Sequence, residues 1–135
     1  YGGKLKSMIY IPGDLFSVNT VTANSVDNLF SRNERLVCIF ETACGPMAMV
    51  LVGAIIVSGI RVVWKKNGFS QFHQIKKWDF SLETDNEVSL EKGQEMGHFM
   101  LGSTVILCFP DSKMSLDKRV SKDSVIQMGE VIGSY

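Results

Sequence analysis

The sequence predicts a mainly all-β domain, a barrel-sandwich-hybrid-like core of short strands joined by glycine-rich turns. Three observations carry this. The apolar segments are short and rich in β-branched residues. Several of them alternate with polar residues at the period of a half-buried strand. Glycine or proline interrupts them at close intervals, as turns between strands require. At 135 residues, with 45% apolar and 21% charged side chains, the chain reads as a single folded domain over residues 1–135.

Taken in order, Met8-Ile9-Tyr10-Ile11 is a β-prone run ended by Pro12-Gly13-Asp14, where proline presets one dihedral and glycine permits positive φ. Leu15-Phe16-Ser17-Val18-Asn19 alternates and predicts a second strand. Residues 20–35 are polar, with Asn24, Asn28 and Asn33, and predict an irregular connection holding one helical turn near residues 26–30. Residues 36–40 are again apolar and β-prone. No charge lies between Glu41 and Arg61, and residues 47–57 are almost wholly apolar. That window approaches the roughly 20 residues of a spanning helix. Gly45-Pro46, Gly53 and Gly59, with β-branching at Val50, Val52, Ile55, Ile56 and Val57, favour two buried strands over a membrane span at residues 42–60. The basic flank Arg61, Lys65 and Lys66 is the feature that fits a span.

Residues 66–74 form a polar loop, residues 75–82 resume alternation at Ile75, Trp78, Phe80 and Leu82, and residues 83–87 form a charged turn. A faint internal echo follows. Gly93-Gln94-Glu95-Met96-Gly97 and Gly129-Glu130-Val131-Ile132-Gly133 share a glycine-bracketed form, each after a β-prone stretch at residues 88–90 or 125–127.

Composition excludes several functions. Fourteen basic and fourteen acidic residues cancel, so no positive field exists to bind nucleic acid. Cys38, Cys44 and Cys108 form no C-x-x-C pair, and two histidines are too few for a zinc site, so no metal is expected. Unpatterned cysteines in odd number suit a reducing compartment. The chain starts at Tyr1 with no leader pattern, and an upstream part is expected to be missing. A hydrolytic triad needs a histidine beside its nucleophile. His73 reads as a solvent-facing loop residue. His98 lies five residues before Ser103, an odd spacing that sets the two on opposite faces of a strand. Asp79, Glu83, Asp85 and Glu87 cluster in a solvated turn, and no phosphate-binding glycine loop is present. Cys38 and Cys108 read as buried, inert side chains. Phe40, Met47, Met49, Phe99 and Met100 read as core.

Ser103 stands in Gly102-Ser103-Thr104, at the head of the β-prone run 104–107. By composition it is a strand-entry residue. Its wider setting is more specific. Tyr10-Ile11-Pro12-Gly13-Asp14-Leu15-Phe16-Ser17-Val18-Asn19 is one block. Arg32-Asn33-Glu34-Arg35 through Phe40-Glu41-Thr42, with Gly45-Pro46-Met47-Ala48 to Val52-Gly53-Ala54, is a second. Lys92-Gly93-Gln94-Glu95-Met96-Gly97-His98-Phe99-Met100-Leu101-Gly102-Ser103-Thr104-Val105-Ile106 is a third. In order and over most of the chain, these resemble the C-terminal catalytic part of phosphatidylserine decarboxylases of the bacterial and mitochondrial type. Only the loop around residues 69–74 is dissimilar.

The resemblance implies a precursor that cuts itself between Gly102 and Ser103. The β chain would then end at Gly102, with residues 1–102 forming part of it, and the α chain would be residues 103–135. Ser103 attacks the preceding carbonyl, and elimination and hydrolysis convert it to a pyruvoyl group. Serine supplies nucleophile and leaving oxygen, and Gly102 lets the backbone reach the geometry without a Cβ clash. The pyruvoyl ketone forms a Schiff base with phosphatidylserine and acts as electron sink for loss of carbon dioxide, giving phosphatidylethanolamine. The implied enzyme is a carboxy-lyase bound peripherally at the cytoplasmic face of the inner or plasma membrane, a homodimer of αβ units. Phe16, Gly45 and Met47 are its candidate pocket neighbours. The family's assisting histidine and aspartate lie upstream and match no position here, so the chain alone is expected neither to process itself nor to decarboxylate. The alternative is a non-enzymatic barrel-sandwich carrier module, for which Lys92 is the one turn lysine of interest, though it lacks flanking methionines.

Overall fold

Strand β1 (Gly3–Ile11) is the axis of the main sheet. The structure is a computed structural model that describes residues 2–54, 59–69, 72–81, 87–100 and 104–135. β1 pairs antiparallel with β2 (Arg35–Thr42), which turns directly into β3 (Gly45–Val52). Then come β4 (Ile60–Val62), β5 (Lys76–Asp79), β6 (Ser89–Leu90), β7 (Gly97–Phe99), β8 (Thr104–Cys108), β9 (Ser115–Leu116) and β10 (Gly133–Ser134). The main sheet has the order β5-β1-β2-β3-β8, with β6 also on β1, while β4 pairs β7 and β9 pairs β10. The antiparallel, short-stranded all-β class therefore holds. Among the described residues the pairing does not close into a barrel.

Register explains the core. Tyr10 lies opposite Leu36 and Leu36 opposite Leu51, so the pleat turns all three to one face. Met8, Cys38 and Phe40 share it, and a bulge between Leu5 and Ser7 brings Leu5 onto it despite the odd spacing. Ile60 and Val62 of β4 and Phe69 close over this face. Tyr10 stacks on Phe69 at 5.4 Å between ring centroids, and the Lys65 ammonium lies 5.6–5.8 Å from the rings of Phe69, Phe72 and Trp78. Phe69, Phe72 and Trp78 thus form an aromatic cluster over the core.

Several expectations are corrected. Residues 15–18 are irregular, because the Asn33 side chain takes both backbone polar groups of Phe16 that a ladder would use. The connection that follows holds two short helices, α1 (Thr20–Ser25) before the expected turn and α2 (Leu29–Arg32) overlapping its end. Asparagine makes both: the Asn19 carboxamide oxygen accepts the Thr22 N–H at 2.9 Å, and Asn28 takes the left-handed conformation before α2. Of the apolar window, residues 47–52 lie in β3, while residues 55–57 lie outside the described residues. No helix among the described residues is long and apolar enough to cross a membrane. Residues 125–127 pair with nothing regular, and Cys108 is exposed rather than buried. Leu82, Glu83 and Asp85 lie outside the described residues.

The internal echo is a repeated turn. The Gln94 N–H donates to the Glu91 carbonyl at 3.1 Å, and Gln94 Oε1 accepts from the Glu91 N–H at 2.9 Å. Glu130 and Gln127 repeat both bonds at 3.1 and 2.7 Å. Gly93 and Gly129 hold the positive φ, 84° and 91°, that the turn needs.

Candidate functional site where β8 begins

Gly102 and Ser103 lie outside the described residues. The residue after them, Thr104, opens β8 and pairs with Val52 at the end of β3. The neighbourhood of that strand end is a buried polar cluster. The Gly53 N–H, next along from Val52, donates to the Glu34 carbonyl at 2.7 Å. Asn33, fully buried, accepts from the Phe16 N–H at 2.9 Å and donates to the carbonyls of Phe16 at 2.8 Å and Gly53 at 2.9 Å. One side chain thus ties the loop after β1 to the end of β3. Nearby the chain passes itself closely at Gly13, where an added Cβ would stand 2.2 Å from the Arg32 carbonyl oxygen. The Arg32 guanidinium lies 4.5 Å from the centre of the Phe16 ring and 3.3 Å from Asp14.

Glu34 is the buried acid of the cluster. The Tyr10 hydroxyl donates to its Oε2 at 3.1 Å. Burial raises the Glu34 pKa above the ordinary carboxylate value, and the Tyr10 hydrogen bond offsets this in part. The Tyr10 hydroxyl is pushed up to about 12, by burial first, then by the negative charge of Glu34 and the bond donated to it. The Tyr10 hydroxyl is thus held on a buried carboxyl at the residue that precedes β2, whose own carbonyl accepts the Gly53 N–H at the end of β3.

The three candidate pocket residues are not brought together. Phe16 is half-buried at this polar end. Gly45 opens β3 at its other end, directly after the β2–β3 turn, and Met47 is buried two residues on. Met47 lines a cavity of about 670 Å³ with Met49, Leu107, Phe109, Met114 and Ile132. Both histidines are exposed. His98 is on β7, which pairs with β4, and its Nδ1 lies 3.1 Å from Glu95 Oε1. Lys92 is exposed in the 91–94 turn. No three His, Cys, Asp or Glu side chains gather as metal ligands among the described residues. Sequence reasoning assigned no role to Tyr10, Asn33 or Glu34. The signal available was an Asn-Glu pair directly before an apolar strand, polar residues at the point where a buried row begins.

Fold and site define an antiparallel β domain with a buried acid directly before β2, and a Gly-Ser step that precedes β8 in sequence. The family model described as phosphatidylserine decarboxylase matches residues 1–134. The phosphatidylserine decarboxylase proenzyme of Psychromonas ingrahamii is 50% identical over 133 residues, covering 98% of this chain and 46% of the relative. That of Yersinia enterocolitica is 49% identical over 137 residues, covering 96% and 45%. That of Marinobacter nauticus is 47% identical over 131 residues, covering 97% and 45%. The chain belongs to the phosphatidylserine decarboxylase family, and it spans about half the length of these curated relatives.

Proposed function

We propose that this chain is the part of a phosphatidylserine decarboxylase precursor that supplies the pyruvoyl group, by cleavage between Gly102 and Ser103. The observation that carries the reading is the family match over residues 1–134, which includes the Leu-Gly-Ser-Thr step. The described residues fit a cofactor made from the chain itself. Such a group needs no separate cradle, only a strand start held in place. The Thr104–Val52 pairing supplies that, and Gly53 allows close backbone approach, since an added Cβ there would meet the Glu34 carbonyl oxygen at 3.3 Å. When formed, the group supplies an electron sink for decarboxylation of phosphatidylserine to phosphatidylethanolamine. The chain's own residues hold the strand end (Asn33) and cover the core beside it (Tyr10 and its aromatic neighbours), and Glu34 accepts the Tyr10 hydroxyl.

A phospholipid is long enough to use both ends of β3, with Phe16 near the head group and Gly45 and Met47 toward the cavity that Met47 lines, whose wall also carries Lys92, Glu130 and Ser134. Because the substrate is a membrane lipid, the enzyme works as a peripheral protein at the cytoplasmic face of the inner or plasma membrane, as a homodimer of αβ units. Neither His73 nor His98 is placed as the family's assisting histidine, so residues outside this chain complete the machinery. In the whole precursor, Ser103→Ala is expected to abolish both cleavage and decarboxylation. An uncut Ala variant that still releases carbon dioxide from phosphatidylserine would remove Ser103 from its role. Mass spectrometry of the chain alone is expected to show the intact 15.0 kDa species. A pyruvoyl-blocked piece covering residues 103–135 would show that the chain processes itself.

A further inference from the structure

Among the described residues, the two outer strands of the main sheet follow different rules. β5 reads Lys-Lys-Trp-Asp, and Lys76, Lys77 and Asp79 are exposed. Charges on an outer strand discourage pairing with a further strand, so β5 is made to be an edge. β8 reads Thr-Val-Ile-Leu-Cys, with neither charge nor proline. Its apolar side chains nevertheless stand in the open, Val105 at 47% and Ile106 at 38% exposure.

The same feature continues inward. Ile9 pairs with Val37, Val37 with Val50, and Val50 with Ile106. Four β-branched residues therefore form a row across four strands, on the face opposite the Leu36 core. All four are at least partly exposed. An uncharged outer strand next to an incompletely covered apolar row is a surface made to be buried.

We propose that β8 is an interior strand of the assembled molecule, and that the remainder of the precursor polypeptide supplies both the strand beside it and the cover over the Ile9–Val37–Val50–Ile106 row. This rests on the reading of the chain as a segment of a decarboxylase precursor. The matched segment is only 45–46% of each relative's length, so more than half of such a precursor is available to form this layer. A second copy of the chain is the weaker occupant. Pairing β8 edge to edge with another β8 would extend the sheet, but it would leave the four-residue row bare.

Amide hydrogen exchange across β8 tests this, comparing the 135-residue chain with a chimeric precursor in which it replaces the matched segment of the Psychromonas ingrahamii relative. The β8 amides that face away from β3 are expected to exchange at least about tenfold more slowly in the chimera. Equal exchange in the two would overturn the proposal. So would protection in the chain alone together with a dimer in sedimentation, which would make a second copy the occupant. As a second measurement, Ile106→Lys is expected to lower the soluble yield of the chimera about fivefold or more, while Lys77→Glu on the other edge leaves it unchanged. Equal tolerance of the two substitutions would also count against it. Activity is a separate readout. An active chimera with fast-exchanging β8 amides keeps the decarboxylase reading and loses the docking, and a protected but inactive chimera does the reverse.

Discussion

Leu36 and Val125 are both apolar residues in β-prone stretches, yet Leu36 is fully buried and Val125 is 95% exposed. The contrast extends to their regions. β1, β2 and β3 each have neighbours that turn their inward side chains onto one shared face. Beyond β8, the regular structure is a ladder of two-residue strands, and Leu116, Ile126, Met128 and Val131 stand open. The lesson is that hydropathy selects candidates for burial while pairing decides among them. A strand with two neighbours presents a continuous face to be covered, and a two-residue ladder does not.

The two strand cysteines offer the sharpest way to break this comparison. Cys38, in the middle of β2, is fully buried, and burial pushes its thiol up to about 12. Cys108, at the end of β8, is exposed. Alkylation by iodoacetamide at pH 8, read site by site by mass spectrometry, is expected to be about a thousandfold or more faster at Cys108, because Cys38 must wait for the sheet to open. Comparable rates in the native chain would mean that the two regions are equally closed, or equally loose.

Stability gives the next largest difference. Asn33→Ala removes the side chain that satisfies Phe16 at both backbone groups and Gly53 at its carbonyl. Leaving several of these without partners is expected to cost about 3 kcal/mol in urea unfolding. Val125→Ser is expected to change stability by less than about 0.5 kcal/mol, since nothing packs on it. A large loss at Val125 would show that the C-terminal third is covered in solution.

The same division explains how much was legible. β1, β2 and β3 were readable because Tyr10, Leu36 and Leu51 sit in runs whose period and β-branching agree with their burial. The polar cluster was not. Asn33 folds the 15–18 stretch by tertiary hydrogen bonds, which override the alternation of Leu15 to Val18 and leave no periodic trace. Cys108 was misjudged because its run matches a buried strand in composition, and its exposure depends on which strands lie beside β8. Residues 125–127 failed for the same reason. The Gly93 and Gly129 echo succeeded because a positive-φ turn is a local requirement. As for the candidate site, the Gly-Ser step belongs to the sequence setting alone and lies outside the described residues, while the buried acid Glu34 needed the three-dimensional register of β1, β2 and β3.

The smallest expected effect separates the regions by sign. Glu34 has its folded pKa raised by burial, so between its unfolded value near 4.5 and its higher folded value the native state binds more protons than the unfolded one. Its contribution is therefore fully present below pH 4.5 and is lost as pH rises through the folded pKa, at no more than about 1.4 kcal/mol per pH unit. Asp117, in the C-terminal third, runs the other way. Its carboxylate is held below the usual value by the Arg119 side chain, so its contribution is present above pH 3.8 and is lost on acidification. Glu34→Gln keeps an acceptor for the Tyr10 hydroxyl and removes the titration. Urea midpoints taken upward from pH 4 are expected to fall less steeply in Glu34→Gln than in the parent, while Asp117→Asn changes only the acid limb. If the two variants alter the same limb, then Glu34 is solvated like Asp117 and is not buried against Tyr10.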